Sequence, residues 1–367
     1  MVNVRNLAAS LAFTSILGSV VAHPGDSQEE VRRELQEIHA ARPIARRAIN
    51  ACAADPATAA LKARSVARRA AAAEALRQQR GISDNRLVSK RDNAGFNKWS
   101  VVNHDSSTLG YDVDTPLSTI FSSNSTCALV PEVTIGPYWV AGELIRTDVT
   151  DGQGGVPVHL DLQFVDINTC EPIPQNTLID IWACNATGVY SGVSAGGQGG
   201  LNTTHGRGIQ LTDADGVVQF DTTFPGHYTG RAPHIHLMST ANATLLPNNT
   251  YVSDSGKPSH IGQLFFDQAL ITEVEKLAPY STNKQALTLN SADGIGISEA
   301  TTSYDPFVDY VRLGNTLNDG LLAFITVFVD TKADQSSSRK AAAHYYQGGG
   351  VSTGNGGGGG PGGHPAA

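Results

Sequence analysis

The sequence predicts an all-β fold: a β-sandwich core with long loops and few short helices, preceded by a helical N-terminal segment. Two observations carry this prediction. From about Asn93 the chain runs as short apolar stretches broken by Gly, Pro, Asn and Asp, and several short strands at such spacing make a sandwich or a barrel. Ahead of it, residues 23–91 are rich in Ala and Arg, with Pro43, Pro56 and Gly81 among the few breaks, which is helical composition. With 40% hydrophobic residues the chain can build a core, so global disorder is excluded.

In chain order, residues 1–22 have the layout of a secretory signal. Arg5 opens it, Leu7 to Val21 form a short apolar stretch, and Val20-Val21-Ala22 supply small residues before His23. Five N-x-[ST] sequons, at Asn124, Asn185, Asn202, Asn242 and Asn248, accord with export. Residues 23–91 carry 14 Lys+Arg against 8 Asp+Glu and end in the dibasic pair Lys90-Arg91. Two readings stand for this segment: a pro-segment removed at that pair, or a helical appendage retained on an acidic body. Residues 92–126 read as a polar lead-in.

The sandwich is expected over residues 127–333. Val156 to Ile167, Thr177 to Ala183, Val217 to Phe224, Pro233 to Met238 and Leu322 to Val329 read as strands. Turn signals at Asp151-Gly152, Asn168-Thr169, Asp215-Gly216 and Pro225-Gly226 fall among them. Asp267 to Lys276 and Tyr304 to Arg312 read as short helices. Residues 334–367 are Ser/Lys/Ala-rich, then Gly-rich; such a stretch cannot offset its ordering entropy by burial and is expected to be disordered. His344 and His364 in it are discounted as ligands.

Composition excludes two function classes. The net charge is −8 with 16% charged residues, which does not suit a nucleic-acid binder, since that needs clustered positive charge. No apolar run reaches the roughly 18 residues of a membrane span. The four cysteines are Cys52, Cys127, Cys170 and Cys184. If Cys52 leaves with a pro-segment, three remain, enough for one bridge in an oxidising compartment, and spacing leaves the connectivity open.

The sharpest local feature is Gly230-Arg231-Ala232-Pro233-His234-Ile235-His236. Histidines at i and i+2 of a strand share a face, and two imidazoles on one face suit a first-row metal ion. Just upstream, Pro225-Gly226-His227-Tyr228 brings a tyrosine into the turn that enters this strand. Further upstream, Asp180-Ile181-Trp182-Ala183-Cys184-Asn185-Ala186-Thr187-Gly188-Val189-Tyr190-Ser191 runs off a strand into a turn with a second tyrosine.

This combination resembles the intradiol ring-cleavage dioxygenases, with their D-x-W-x-x-N-x-x-G-x-Y-S, P-G-x-Y and R-x-x-H-x-H motifs. The resemblance covers roughly Cys127 to Val329, and the separation of the two tyrosines suits the family. It implies a non-haem Fe(III) cofactor held by Tyr190, Tyr228, His234 and His236. It further implies cleavage of catechol-like vicinal diols by O2 between the two hydroxylated carbons, giving muconate-type diacids. Tyr228 would be the ligand the substrate displaces, Arg231 would stabilise charge on the activated ring, and Gln263, in Gln263-Leu264-Phe265-Phe266, would orient it. Tyr138 and Trp139, beside Gly136-Pro137, would line the ring pocket.

Phenolates are hard anionic donors suited to trivalent iron, and only direct coordination keeps a phenol ionised at neutral pH. Ala183-Cys184-Asn185 stands where the family often has His-Ala-Asn, and the loop lengths around Tyr228 and His236 depart from the catechol-cleaving bacterial enzymes, so the particular diol is left open. So is the oligomeric state, a homodimer included, because the helical dimerisation domain of bacterial relatives has no clear match. The expected enzyme is secreted, with a diol and O2 as partners and neither nucleic acid nor membrane. Two other readings stand beside it: a secreted β-sandwich binding module that has lost catalysis, and a zinc hydrolase at His234/His236. The second lacks a third ligand at zinc spacing and an obvious general base.

Overall fold

The computed structural model describes residues 29, 51–52, 55–82, 105, 133–299, 306–346 and 349–355. The signal-like leader, Asn124, Cys127, Lys90-Arg91, the lead-in other than Asp105, and residues 356–367 with His364 lie outside the described residues.

Helix α1 (Pro56–Gln79) is followed by strands β1 (Val140–Ala141), β2 (Pro157–Asp166), β3 (Leu178–Trp182), β4 (Arg207–Leu211), β5 (Val217–Thr223), β6 (His234–Ala241), β7 (Leu245–Leu246), β8 (Thr250–Tyr251) and β9 (Lys257–Phe265). Then come α2 (Gln268–Val274), α3 (Gly294–Glu299), β10 (Asp309–Arg312), β11 (Leu321–Val329), β12 (Ala343–Tyr346) and β13 (Gly349–Ser352). Two four-stranded sheets, in the orders β10-β11-β2-β5 and β4-β3-β6-β9, form the sandwich. Its core follows from the period of two along each strand. Val158, Leu160, Leu162 and Phe164 of β2 meet Ile179 and Ile181 of β3, Ile235 and Leu237 of β6, and Leu264 of β9. The intervening residues therefore face outward from both sheets, and each outer face is covered by other parts of the chain.

α1 covers the outer face of the first sheet. Asp55 caps it by accepting from the Ala57 amide at 2.7 Å, and Pro56 at its first turn needs no hydrogen-bond acceptor. Its buried residues are Leu61, Ser65, Arg69, Ala73 and Arg77, a stripe repeating every four positions. Arg68 and Arg69 each donate to Asp161 of β2 at 2.9 Å, with Gln219 adding a third contact at 3.0 Å. Ser65 donates to Gln163 at 2.7 Å, and the Arg69 guanidinium lies 4.6 Å from the centre of the Phe324 ring. Burial alone would raise the Asp161 carboxyl; the two arginines outweigh it and hold the group well below the usual carboxylate range. Cys52, just before the helix, is disulfide-bonded to Cys170.

Cys52 is bonded to Cys170 and α1 is a packed layer, so a cut at Lys90-Arg91 alone would not release it. Two expectations are corrected. The tail expected to be disordered from residue 334 is ordered through β12 and β13: Ala343 and His344 pair in parallel with Val140 and Ala141, and the Ala342 amide donates to the Trp139 carbonyl at 2.8 Å. Small side chains make this possible, since Ala342 and Ala343 are buried and Gly350 passes close to Leu201. The helix expected over Tyr304 to Arg312 is instead strand β10 in its described part; Val308 and Tyr310 point into the core while the strand pairs with β11.

Candidate metal centre

The period of two that sends Ile235 and Leu237 into the core turns His234, His236 and Met238 to the outer face of the second sheet. Asp180 and Trp182 of β3 pair with Met238 and His236, and Gln263 of β9 pairs with His236 from the other side. The Trp182 ring stacks on the His236 imidazole, with centroids 4.8 Å apart and planes at 7°. His234 Nε2 and His236 Nε2 stand 3.0 Å apart. His234 Nδ1 lies 2.7 Å from the Ala232 carbonyl oxygen. A carbonyl only accepts, so Nδ1 carries the proton and Nε2 keeps its lone pair, the tautomer a metal ligand needs.

Both tyrosines come from turns over this face. The Tyr228 hydroxyl is 3.5 Å from His234 Nε2. Tyr190 meets Tyr228 edge-on at 5.7 Å between ring centres and His236 at 6.3 Å, and its hydroxyl is buried with no hydrogen-bond partner. An orphaned buried hydroxyl is costly. Burial holds both phenols well above their ordinary titration range, with repulsion from the neighbouring phenol added at Tyr190. Two neutral phenols and two imidazoles thus converge with their donor atoms toward one another. Among the described residues no group of three or more His, Cys, Asp or Glu side chains is placed to hold a metal ion, so a metal here draws on the tyrosines.

The turn before Tyr190 is built by Asn185, whose side-chain oxygen accepts from the Thr187 and Val189 amides at 3.0 and 3.1 Å. Gly188 sits in that turn at φ +76°, where a Cβ would overlap the His227 carbonyl oxygen. Gln198 accepts from the Tyr190 amide at 2.7 Å. Beyond the ligand position, Arg207 donates to the Ser191 carbonyl at 2.7 Å and to its hydroxyl at 2.9 Å.

Arg231 is buried, donating through Nε to Asp293 at 2.9 Å and through Nη2, in a short contact, to Gln263 Oε1. Burial would raise the Asp293 carboxyl, but the Arg231 charge and backbone donors hold it below its ordinary value. Tyr138 packs on Tyr190 at 5.0 Å between ring centres. Trp139 is buried and its indole N–H donates to Asp180 at 2.7 Å, so its polar atom is committed to the wall. Cys184 is a buried free thiol, pushed up to about 12 by burial, and is chemically quiet.

The sequence-predicted site residues therefore come together on one face. What sequence reasoning missed is their support: Asn185, Gln198, Arg207, Gln285 and Asp293. Asn185 stood inside the quoted motif; the others sit in loops or on an edge strand where no spacing singles them out.

Residues 136–271 match the family model Dioxygenase_C, described as a dioxygenase. No curated protein matches the chain. Among solved structures, an intradiol ring-cleavage dioxygenase from Tetranychus urticae is 28% identical over 57% of this chain and 98% of its own, with a TM-score of 0.47. The dioxygenase domain of a dioxygenase–carbohydrate-binding protein fusion from Streptomyces sp. SirexAA-E is 22% identical, covering 55% and 98%, with a TM-score of 0.35. Catechol 1,2-dioxygenase from Acinetobacter sp. ADP1 is 18% identical, covering 55% and 63%, with a TM-score of 0.37.

Proposed function

We propose that this chain, whose residues 136–271 match the family model Dioxygenase_C, is a secreted, iron(III)-dependent intradiol ring-cleavage dioxygenase that opens catechol-like vicinal diols with O2. The observation that carries this is the convergence of the Tyr190 and Tyr228 hydroxyls with His234 Nε2 and His236 Nε2 on one buried face. These four side chains would hold the metal, and their chemistry fits it: two ionisable oxygens offset a trivalent charge while two neutral nitrogens leave the site near neutrality. When bound, ferric iron supplies a Lewis-acidic anchor for the diolate and makes the ring reactive toward O2.

The chain's own residues do the rest. Tyr228, whose hydroxyl lies 3.5 Å from His234 Nε2, would help hold the metal and would take up a proton as the diol gives one up. Arg231, fixed by Asp293 and Gln263, presents a permanent positive charge beside the ring as negative charge builds there. Preorganised charge of this kind contributes about 2–4 kcal/mol to a transition state. Gln263 orients Arg231 from β9, while Tyr138 and Trp139 form the wall against which an aromatic ring packs. The buried setting excludes bulk water from the reacting carbons.

Export is supported by the Cys52–Cys170 bridge, which suits an oxidising compartment. Asn202, Asn242 and Asn248 are exposed sequons, whereas Asn185 is spent on the Tyr190 turn and is expected to carry no glycan. The test is turnover of catechol, hydroxyquinol and protocatechuate by iron-loaded protein under isotopically labelled O2. A ring-opened diacid with both labelled oxygens is expected; unlabelled product, or none from any diol, would refute the proposal.

A further inference from the structure

Three backbone stretches around the metal centre are held from a single loop, residues 283–293, which lies beyond the segment that matches the dioxygenase family. Gln285 reaches two of them with one side chain. Its Nε2 donates to the Thr187 and Gly188 carbonyls at 3.1 and 3.2 Å, three and two residues before Tyr190. Its Oε1 accepts from the Thr229 amide at 3.3 Å, one residue after Tyr228. The Gln285 carbonyl accepts from His227 Nε2 at 3.1 Å, and Asn283 donates to the His227 carbonyl at 2.8 Å. Thr288 accepts from the Gly230 amide at 3.0 Å. Asp293 then takes the third stretch. One oxygen accepts from Arg231 Nε at 2.9 Å and the Ala232 amide at 2.8 Å, while the other caps α3 through the Ile295 and Gly296 amides at 3.0 Å each.

A glutamine at position 285 is chemically specific. The Tyr190 turn offers carbonyls and needs a donor; the Tyr228 turn offers an N–H and needs an acceptor. Only an amide side chain supplies both from one end. A glutamate would set oxygen against two carbonyls, and an apolar residue would leave all three backbone groups without their partner. The turns themselves have no slack, since Gly188 leaves no room for a Cβ against His227 and Gln285.

We propose that loop 283–293 is a clasp that sets the separation of the two tyrosine turns, with Gln285 as the positioning residue for Tyr190 and Tyr228 and Asp293 as the positioning residue for Arg231. The proposal rests on the reading that both tyrosines are ligands. It divides the loop's work: Gln285 governs how iron is held before substrate arrives, and Asp293 governs the charge presented to substrate afterwards.

The test uses the full chain with Gln285→Glu and Asp293→Asn, reading iron affinity, the tyrosinate-to-iron absorption band, kcat and KM for catechol, and melting of the metal-free protein. Gln285→Glu is expected to weaken iron binding ~10-fold or more, in line with losing a partner that orients a ligand, and to displace the resting band. Asp293→Asn is expected to leave the resting band in place and lower kcat ~10-fold with a smaller change in KM. If Gln285→Glu does not fold, Gln285→Met decides the same question, because it keeps the length and loses both polar ends. Wild-type iron affinity and an undisplaced band in the folded Gln285 variant would overturn the clasp. An iron-loaded wild type with no tyrosinate band would instead overturn the ligand reading beneath it.

Discussion

The two outer faces of this sandwich bury polar groups in opposite ways. On the first sheet, Asp161 is closed over by α1 with Arg68, Arg69 and Gln219 all donating to it. On the second sheet, two imidazole nitrogens face each other at 3.0 Å and the Tyr190 hydroxyl has no partner. Asp161, His234, His236 and Tyr190 are all buried. The first face surrounds a carboxylate with three donors and reads as structure; the second gathers two imidazoles and two phenols, the Tyr190 hydroxyl among them unbonded, and reads as a site. Burial is therefore a poor guide to function by itself, and the bonding state of what is buried is a better one.

The largest effect separating the faces is expected from the ligands. Tyr190→Phe and His236→Ala should each cost at least ~100-fold in turnover, the scale on which even orienting partners of a ligand act, and should strip iron, measured as metal per chain. On the opposite face, Asp161→Ala should destabilise the fold by about 3–5 kcal/mol, because Arg69 is left buried without its carboxylate. Chemical denaturation checks this, and the iron band should not change. A shifted band in Asp161→Ala would couple the two faces and break the comparison.

A pH-dependent effect of middle size comes from behind the Tyr190 turn. Burial, against the attraction of Arg207 and Arg146, pushes the Glu143 carboxyl up to about 7, and neither of its oxygens is hydrogen-bonded. The folded chain thus keeps a proton there that the unfolded chain, with its ordinary value of 4.5, gives up as the pH rises between the two. The stability from this group is full below about pH 4.5 and is lost as pH rises through 7. Glu143→Gln has no proton to lose. It should match wild type near pH 4 and gain about 3 kcal/mol on it by pH 8, read from melting curves at both pH values.

Smaller still, removing the bridge with Cys52→Ser/Cys170→Ser should cost about 2–3 kcal/mol and leave the iron band unmoved. The smallest change is expected from His344→Ala in β12, below about 1 kcal/mol with full iron content, since its pairing with β1 is made by the backbone, which the substitution keeps.

How much of this was legible beforehand depended on which physical signal wrote each element. Short apolar stretches between turn signals, alternating in β2 and continuous in β11, revealed β2, β3, β5, β6 and β11, because each contributes to a shared core. The two histidines, two tyrosines and Arg231 were legible because their chemistry demands particular residue types at strand and turn positions. β4 escaped notice because an edge strand reading Arg-Gly-Ile-Gln-Leu offers little alternation. The tail escaped because its order comes from backbone pairing with β1 and from small buried residues, and composition registers neither. Gln285 and Asp293 escaped for a related reason: they act on backbone groups some 60 to 100 residues distant, through contacts that only the folded chain creates.

The most direct test of the central claim, that the outer face of the second sheet is a diphenolate iron site, is the visible absorption spectrum of the full chain loaded with ferric iron, before and after catechol is added under nitrogen. Tyrosinate bound to iron gives a charge-transfer band, and the account predicts that band at rest, its movement to longer wavelength with catechol, and its loss in Tyr190→Phe. A protein that binds one ferric ion per chain yet stays colourless, with and without catechol, would contradict it.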